Sequence, residues 1–157
     1  MGGTSTHTRR VYVDTSVWVA VLTQEPSAKT LMRALEAEAG QLLTAMWTRT
    51  ELASALGIKA RRHELTQERV HQLIQEFELW VACGLAAMPV DSMDFLQAAR
   101  LCENIDTKLR GGDALHLSVA KRCQATHLLS LDKDMLENAS SLGMQFIDYD
   151  DQKKLTH

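Results

Sequence analysis

The sequence predicts an α/β fold in which helices cover both faces of a mainly parallel β-sheet. Short apolar runs alternate along the chain with longer segments of helical periodicity, and this order is typical of parallel sheets. The first run, Val11–Val13, is apolar throughout, as strands buried on both faces are. With 157 residues, 45% hydrophobic and 24% charged, the chain has the size and composition of one globular domain.

The order of strands and helices follows from short apolar runs, from residues typical of helix ends and from the helical period of apolar residues. We expect a flexible leader at residues 1–9, a single domain at 10–150 and a C-terminal tail at 151–157. Pro26 suits a first helical turn, Thr66 an N-cap, and Gly84 a helix end. The predicted strands are 11–13, 42–46, 85–90, 127–131 and 144–147. The predicted helices are 15–22, 26–39, 48–62, 66–83, 92–101, 113–123 and 133–142.

Composition and charge exclude several classes of protein. The net charge of −3 does not indicate a strongly basic nucleic-acid binder. The three cysteines are widely spaced, which favours free thiols in a reducing compartment over a disulfide framework or a zinc site. The six histidines follow no metal-binding pattern and are predicted to be surface or packing residues. No apolar run reaches the ~20 residues that span a membrane, so we expect a cytoplasmic protein.

Acidic residues stand at four predicted junctions between a strand or loop and a helix. The carboxyl ends of parallel strands meet at one edge of a sheet, where such folds build their sites. Four carboxylates crowded there repel one another unless a positive group lies between them. Oxygen-only ligands select a hard divalent ion such as Mg²⁺ or Mn²⁺. The four acids are Asp14, Glu51, Asp113 and Asp132.

Each acid also has a purely structural interpretation as a helix cap. The sequence from Thr48 to Glu51 has the form of a capping box, in which Glu51 binds the Thr48 amide. Asp113 follows two glycines and fits an N-cap. Asp132 and Asp134 share one helix start, so one can be the cap and the other a ligand; Asp132 is nearer the strand. The coincidence of four such acids at one edge favours a metal site.

Four motifs in this order resemble those of a known family. They are VYVDTS at 11–16, TRTE at 48–51, RGGDALHL at 110–117 and LLSLD at 128–132. Over residues 10–148 the chain resembles the PIN-domain ribonucleases, most closely the VapC-type toxins of bacterial toxin–antitoxin pairs. The resemblance implies a three-layer α/β/α domain with about five strands and a Mg²⁺- or Mn²⁺-dependent endoribonuclease activity.

The same resemblance assigns roles to residues and partners. It implies that the four acids form the catalytic metal site, with Ser16 and Ser130 in support. We expect Asp14 and Asp113 to bind the ion directly; Glu51 and Asp132 can bind it, hold a metal-bound water or act as the base. RNA is expected to approach over basic residues beside the site, namely Arg49, Arg110 and Lys133. A cognate antitoxin and a homodimer are the expected partners. We expect the antitoxin to place an Arg or Lys among the acids and to dock on apolar surface from Trp18, Val21, Leu22, Leu52, Leu56 and Leu65.

Two other functions remain possible at this stage. A phosphatase of the haloacid dehalogenase type also has an Asp at a strand end, but it requires Asp-x-Asp, and Asp14 is followed by Thr15 and Ser16. A catalytically silent PIN-fold domain that binds RNA or a partner is the second alternative. The presence of all four acids argues against it.

Overall fold

A computed structural model of the chain describes residues 8–149, and it has the predicted fold class. A five-stranded, all-parallel sheet has the strand order β3-β2-β1-β4-β5. The strands are β1 (Val11–Val13), β2 (Leu42–Ala45), β3 (Ala86–Met88), β4 (His127–Leu129) and β5 (Gln145–Phe146). The helices are α1 (Thr15–Leu22), α2 (Ala28–Ala37), α3 (Met46–Arg61), α4 (Gln67–Ala82), α5 (Ser92–Glu103), α6 (Gly111–Arg122) and α7 (Lys133–Ser141).

The central strand β1 faces a separate apolar core on each side of the sheet. Its side chains alternate between the two faces, as the strand period of two requires. Val11 and Val13 pack against residues of α1, α2, α3 and α4. Tyr12 packs in the opposite cluster, with residues of α6 and α7. The domain therefore has the predicted three layers, and helix packing on both faces holds β1 at its centre.

Side-chain hydrogen bonds define two helix N-caps, and one of them, Thr66, was predicted from the sequence. The Thr66 hydroxyl accepts a hydrogen bond from the Arg69 amide at 3.1 Å and caps α4. Asp91 caps α5 and forms a reciprocal capping box with Asp94. These local signals were readable because each cap and its partner lie within three residues of one another.

Two other helix starts differ from the prediction. Helix α3 begins at Met46, directly after β2, so Thr48 lies inside its first turn. Helix α6 begins at Gly111 with Arg110 at the N-cap position, so Asp113 is the third helical residue and not the cap. Both glycines, expected to precede this helix, form its first turn.

The predicted leader 1–9 and tail 151–157 lie almost entirely outside the described residues. Of the leader, Thr8 and Arg9 are described, and the Arg9 guanidinium pairs with Glu38 at 2.6 Å. Within residues 8–149, no helix combines the length and apolar character needed to cross a bilayer.

The apolar side chains predicted to offer a partner surface are largely internal. Trp18, Leu52 and Leu56 have no exposed surface, because α1 and α3 turn them into the core beside β1. We expected these side chains to offer surface to a partner, but the sheet and α4 already cover them. The predicted docking surface is therefore wrong for these residues.

Candidate active site

A cavity of about 310 Å³ opens at the carboxyl edge of the sheet and contains all four predicted acids. It lies where β1 and β4 are neighbours and the chain order reverses, the position at which open α/β sheets bind ligands. Residues from α1, α3, α6 and the start of α7 line it. They are Asp14, Thr15, Ser16, Glu51, Ser54, Ala55, Ile58, Asp113, His116 and Asp132.

Asp14 is the most deeply buried acid of this cavity. It follows β1 and is 3% exposed. The Ser16 hydroxyl donates to its Oδ1 at 2.6 Å, and the Ser130 hydroxyl donates to its Oδ2 at 2.9 Å. Burial raises the pKa of Asp14 above its usual value, and the two serine hydrogen bonds act against that rise. Both residues predicted to support the site thus lie on one carboxylate and fix its orientation.

Glu51 lies on the second turn of α3 and is held by one oxygen. Thr15 Oγ1 donates to its Oε2 at 2.5 Å, and His116 Nε2 contacts the same oxygen. Burial acts to raise the pKa of Glu51, but the hydrogen bonds from His116 and Thr15 outweigh it, so the net pKa is lowered. Glu51 therefore stays ionised over a wider pH range than an ordinary glutamate.

The predicted capping box of Glu51 is wrong. Its supposed partner Thr48 is inside α3 and shares a 2.7 Å hydroxyl hydrogen bond with Thr44. Ala45, which occupies the N-cap position, has no side-chain capping bond. The Glu51 carboxylate is thus directed to the cavity and contributes no cap.

Asp113 and Asp132 complete the acidic edge from α6 and α7. Burial raises the pKa of Asp113, and the negative charges of Asp132 and Glu51 raise it further. Asp132 is also the N-cap of α7, where its Oδ1 accepts from the amides of Asp134 at 2.8 Å and Met135 at 3.1 Å. The cap and cavity interpretations of Asp132 are therefore compatible, since the cap uses one of its two oxygens.

Gly112 allows α6 to approach Glu51 closely. A Cβ atom at this position would lie 2.7 Å from Glu51 Oε1 and 3.5 Å from Trp47 Nε1. A Cβ atom at Gly111 would have no neighbour within 4 Å. The second glycine of the Gly-Gly-Asp motif is thus required by a contact inside the site, whereas the first is not.

The three predicted RNA-binding residues occupy different positions. Arg110 and Lys133 are exposed beside Asp113 and Asp132, at the N-cap of α6 and the first residue of α7. Arg49 is paired with Glu78 of α4 at 2.6 Å, away from the residues that line the cavity. Arg110 and Lys133 therefore border the acidic edge, whereas Arg49 does not line the cavity.

The donor chemistry of the cavity fits a hard divalent cation. Its four carboxylates come from four chain segments, and within residues 8–149 no Lys or Arg forms an ion pair with any of them. In the same range, no three His, Cys, Asp or Glu side chains are already gathered in ligand geometry. Burial raises the pKa of Asp113, and the charges of Asp132 and Glu51 add to the rise; a bound cation would offset that repulsion. The ligand set therefore suits Mg²⁺ or Mn²⁺, with side-chain adjustment on binding.

Sequence reasoning missed one member of the site, His116, whereas the hydroxyl of Thr15 was expected to orient a carboxylate and does so at Glu51. His116 was read as a surface or packing histidine, but it is 1% exposed and contacts Glu51. Its spacing of three from Asp113 was the available signal, because residues three apart share a helix face. Its partners lie 65 and 104 residues away in the chain, which no local pattern reveals.

Comparison with known proteins identifies the family. No curated protein matches the chain significantly in sequence. VapC20 of Mycobacterium tuberculosis, a sarcin–ricin loop cleaving toxin, has a similar structure: TM-score 0.67, 17% identity, 85% of this chain and 95% of that chain covered. VapBC2 of Rickettsia felis, bound to a promoter DNA fragment, has a TM-score of 0.65 and 14% identity, with 88% of this chain and 98% of that chain covered. VapBC-1 of nontypeable Haemophilus influenzae has a TM-score of 0.61 and 16% identity, with 88% of this chain and 97% of that chain covered. The PIN domain family model matches residues 11–140, and the chain therefore belongs to the PIN domain family.

Proposed function

We propose that this chain is a Mg²⁺- or Mn²⁺-dependent endoribonuclease and the toxin of a toxin–antitoxin pair. The observation that carries the proposal is the cavity lined by four carboxylates at the switch point of the sheet. Family membership supports nuclease chemistry, and VapC20, a structural relative, is named a sarcin–ricin loop cleaving toxin. The alternative of four unrelated caps has less support, because Glu51 and Asp113 do not occupy N-cap positions and Asp132 caps α7 with only one of its two oxygens.

The side chains divide the work of such a site. Asp14 is oriented by Ser16 and Ser130 and would hold the ion from the sheet, while Asp113 would hold it from α6. A bound divalent ion lowers the pKa of a water and offsets charge on the scissile phosphate. Glu51 keeps its negative charge through the hydrogen bonds to Oε2 and can attract the cation or accept a proton from water.

RNA is proposed to enter over the border formed by Arg110 and Lys133. Both residues are exposed: Lys133 follows Asp132 in sequence, and Arg110 lies about one helical turn before Asp113. At these positions a phosphate can be held without neutralising the acids themselves. For Arg49 a phosphate contact would have to replace its exposed ion pair with Glu78.

The experiment is cleavage of short single-stranded RNA by the purified full chain, with Mg²⁺ or Mn²⁺ and with EDTA. Asp14→Asn and Asp113→Asn should each reduce cleavage by more than about 100-fold, because loss of a ligand removes several kcal/mol of transition-state stabilisation. Asp134→Asn makes the same chemical change outside the cavity and should cleave like the wild type. Full activity in EDTA would contradict metal dependence, and an inactive wild type would favour the catalytically silent alternative.

The antitoxin is proposed to dock in an apolar groove of about 520 Å³ between α1, α2 and α4. Leu79 is 63% exposed there and, with Trp80 and Met32, offers apolar surface to a partner helix. Helix α1 joins the groove to the acidic cavity: Ser16 lines the cavity and Leu22 the groove, roughly 9 Å apart along the helix axis. A basic side chain next to the docked helix can therefore reach the acids.

The dimer is proposed to use the exposed apolar face of α5. Met93 and Leu96 are each more than half exposed and share one face of that helix. Co-expression with the adjacent reading frame tests the groove, because a bound partner co-purifies. Light scattering tests the α5 face, because it measures the mass of the oligomer. Leu79→Asp should abolish partner co-purification but not the dimer, and Leu96→Asp should do the reverse. A wild-type monomer, or a partner retained by Leu79→Asp, would contradict the corresponding surface.

A further inference from the structure

The buried His116 is engaged at both ring nitrogens. Its Nδ1 lies 2.7 Å from the hydroxyl of Tyr12, a fully buried residue of β1. Its Nε2 contacts Glu51 Oε2 and lies 3.1 Å from Thr15 Oγ1. The ring thus links the centre of the sheet to an acid of the cavity, and it joins segments that are far apart in the sequence.

Proton counting assigns the tautomer of this ring. A neutral imidazole has one donor and one acceptor, and a phenol has a single hydrogen to donate. A tyrosine phenol keeps that hydrogen at neutral pH, because its ordinary pKa is about 10. Because a buried donor needs an acceptor, the Tyr12 hydroxyl donates to Nδ1. The ring hydrogen is then on Nε2 and points at Glu51.

We propose that Tyr12 and His116 are positioning residues that fix the Glu51 carboxylate for the reaction at the acidic cavity. The pair holds Oε2 through the Nε2–H donor, beside the donor Thr15, and leaves Oε1 on the side of Gly112. These two hydrogen bonds hold Glu51 in one orientation while the carboxylate keeps its negative charge. This inference rests on the proposed nuclease function of the cavity.

A histidine that only fills the core would not need this arrangement. Packing alone does not require Nε2 to face a carboxylate, nor a tyrosine to select the tautomer. Partners that orient a metal-binding carboxylate typically contribute 10–100-fold to affinity or activity, and that contribution depends on the direction of the hydrogen bond. The direction of the Nε2–H bond is therefore what an experiment must test.

The first experiment reads the tautomer of the metal-free full chain from ¹⁵N chemical shifts of labelled histidines at pH 8. We expect His116 to carry its proton on Nε2, and Tyr12→Phe to produce a mixture of tautomers because Nδ1 loses its donor. A proton on Nδ1, or a doubly protonated ring, in the wild type would overturn the proposal. This measurement requires no catalysis, so it does not depend on the proposed function.

The second experiment compares His116→Gln with His116→Asn. The amide nitrogen of Gln can reach the position of Nε2, whereas that of Asn reaches only the position of Nδ1. Relative to wild type, Asn should lower kcat and Mn²⁺ affinity by about 10–100-fold at unchanged KM, and Gln should restore most of both. Equal losses in the two variants, at equal melting temperatures, would overturn the positioning role.

The two proposals fail in distinguishable ways. If the wild type does not cleave RNA in Mn²⁺, the proposed function fails, while the tautomer and the Mn²⁺ affinities of the two His116 variants still test the positioning of Glu51. If the wild type cleaves RNA but both His116 variants match it in kcat and Mn²⁺ affinity, only the positioning role is refuted.

Discussion

Replacing Gly112 by alanine tests the geometry of the site with a single methyl group. The new Cβ atom would lie 2.7 Å from Glu51 Oε1, whereas ordinary van der Waals contact begins at 3.4 Å. The carboxylate must therefore retreat by at least 0.7 Å, the difference between these distances. It cannot rotate away freely, because Thr15 and His116 hold its other oxygen.

The expected effect is large on activity and small on stability. A misplacement of about 1 Å at a reacting group can reduce the rate by roughly 100-fold, so we expect a loss of that order in kcat for RNA cleavage in Mn²⁺. Replacing glycine by alanine at a position with compatible backbone typically stabilises a protein by about 0.4–1 kcal/mol, because the unfolded chain loses freedom. For Gly112→Ala this gain is offset by the contact with Glu51.

Gly111→Ala is the matched control in the same helical turn. Its Cβ atom would meet nothing within 4 Å, so we expect wild-type cleavage and an equal or higher melting temperature. Both variants are compared by single-turnover RNA cleavage and thermal unfolding. Full activity in Gly112→Ala, or an equal loss in both variants, would refute the inferred close approach of α6 to Glu51.

Four further substitutions, at three acids, separate charge from structure. Glu51→Gln keeps an oxygen for Thr15 and should melt like the wild type but lose about 100-fold or more in activity; normal activity would exclude a role for its charge. Asp132→Ser keeps a capping oxygen, whereas Asp132→Ala should destabilise α7 by about 0.5–2 kcal/mol. Both variants should lose activity. Equal melting temperatures of the Ser and Ala variants would contradict the capping role. Asp14→Asn should raise the melting temperature in EDTA at pH 7, since a raised pKa means that ionisation of Asp14 disfavours folding. This gain in melting temperature should shrink as the pH falls through the pKa of Asp14. A gain independent of pH would contradict this cause.

Local signals in the sequence predicted the sheet and the position of the acids well. Asp14 directly follows an apolar run, and the chain direction of a parallel sheet then decides which edge it occupies. The predicted capping box of Glu51 was wrong because α3 begins earlier than the local sequence indicates. Strand β2 passes into α3 without a loop, so the first turn starts before Thr48, and the hydroxyl of Thr48 pairs with Thr44.

Contacts between distant segments could not be read in this way. The interaction of His116 with Glu51 depends on how α6 lies against α3, which packing decides and periodicity does not. The predicted docking surface was wrong for the same reason: the apolar character of Trp18 and Leu52 predicts burial, but it does not say whether the covering surface belongs to this chain or to a partner.

The acids of the cavity differ in how readily they bind protons, and this difference predicts proton release on metal binding. The pKa values of Asp14 and Asp113 are raised, chiefly by burial, whereas that of Glu51 is lowered by its hydrogen bonds. Carboxylates must be deprotonated to bind a metal ion, so Asp14 and Asp113 have to give up any proton they carry.

Binding of Mn²⁺ should therefore release protons, and the number should increase as the pH is lowered from 7 towards the raised pKa values. Calorimetric titrations in buffers of different ionisation enthalpy measure this number. Asp113→Asn should reduce the release because it removes one of the two groups, whereas Glu51→Gln should leave it nearly unchanged because Glu51 is already ionised. If the release depends on Glu51 and not on Asp113, then the order of the pKa values inferred from burial and hydrogen bonding is incorrect.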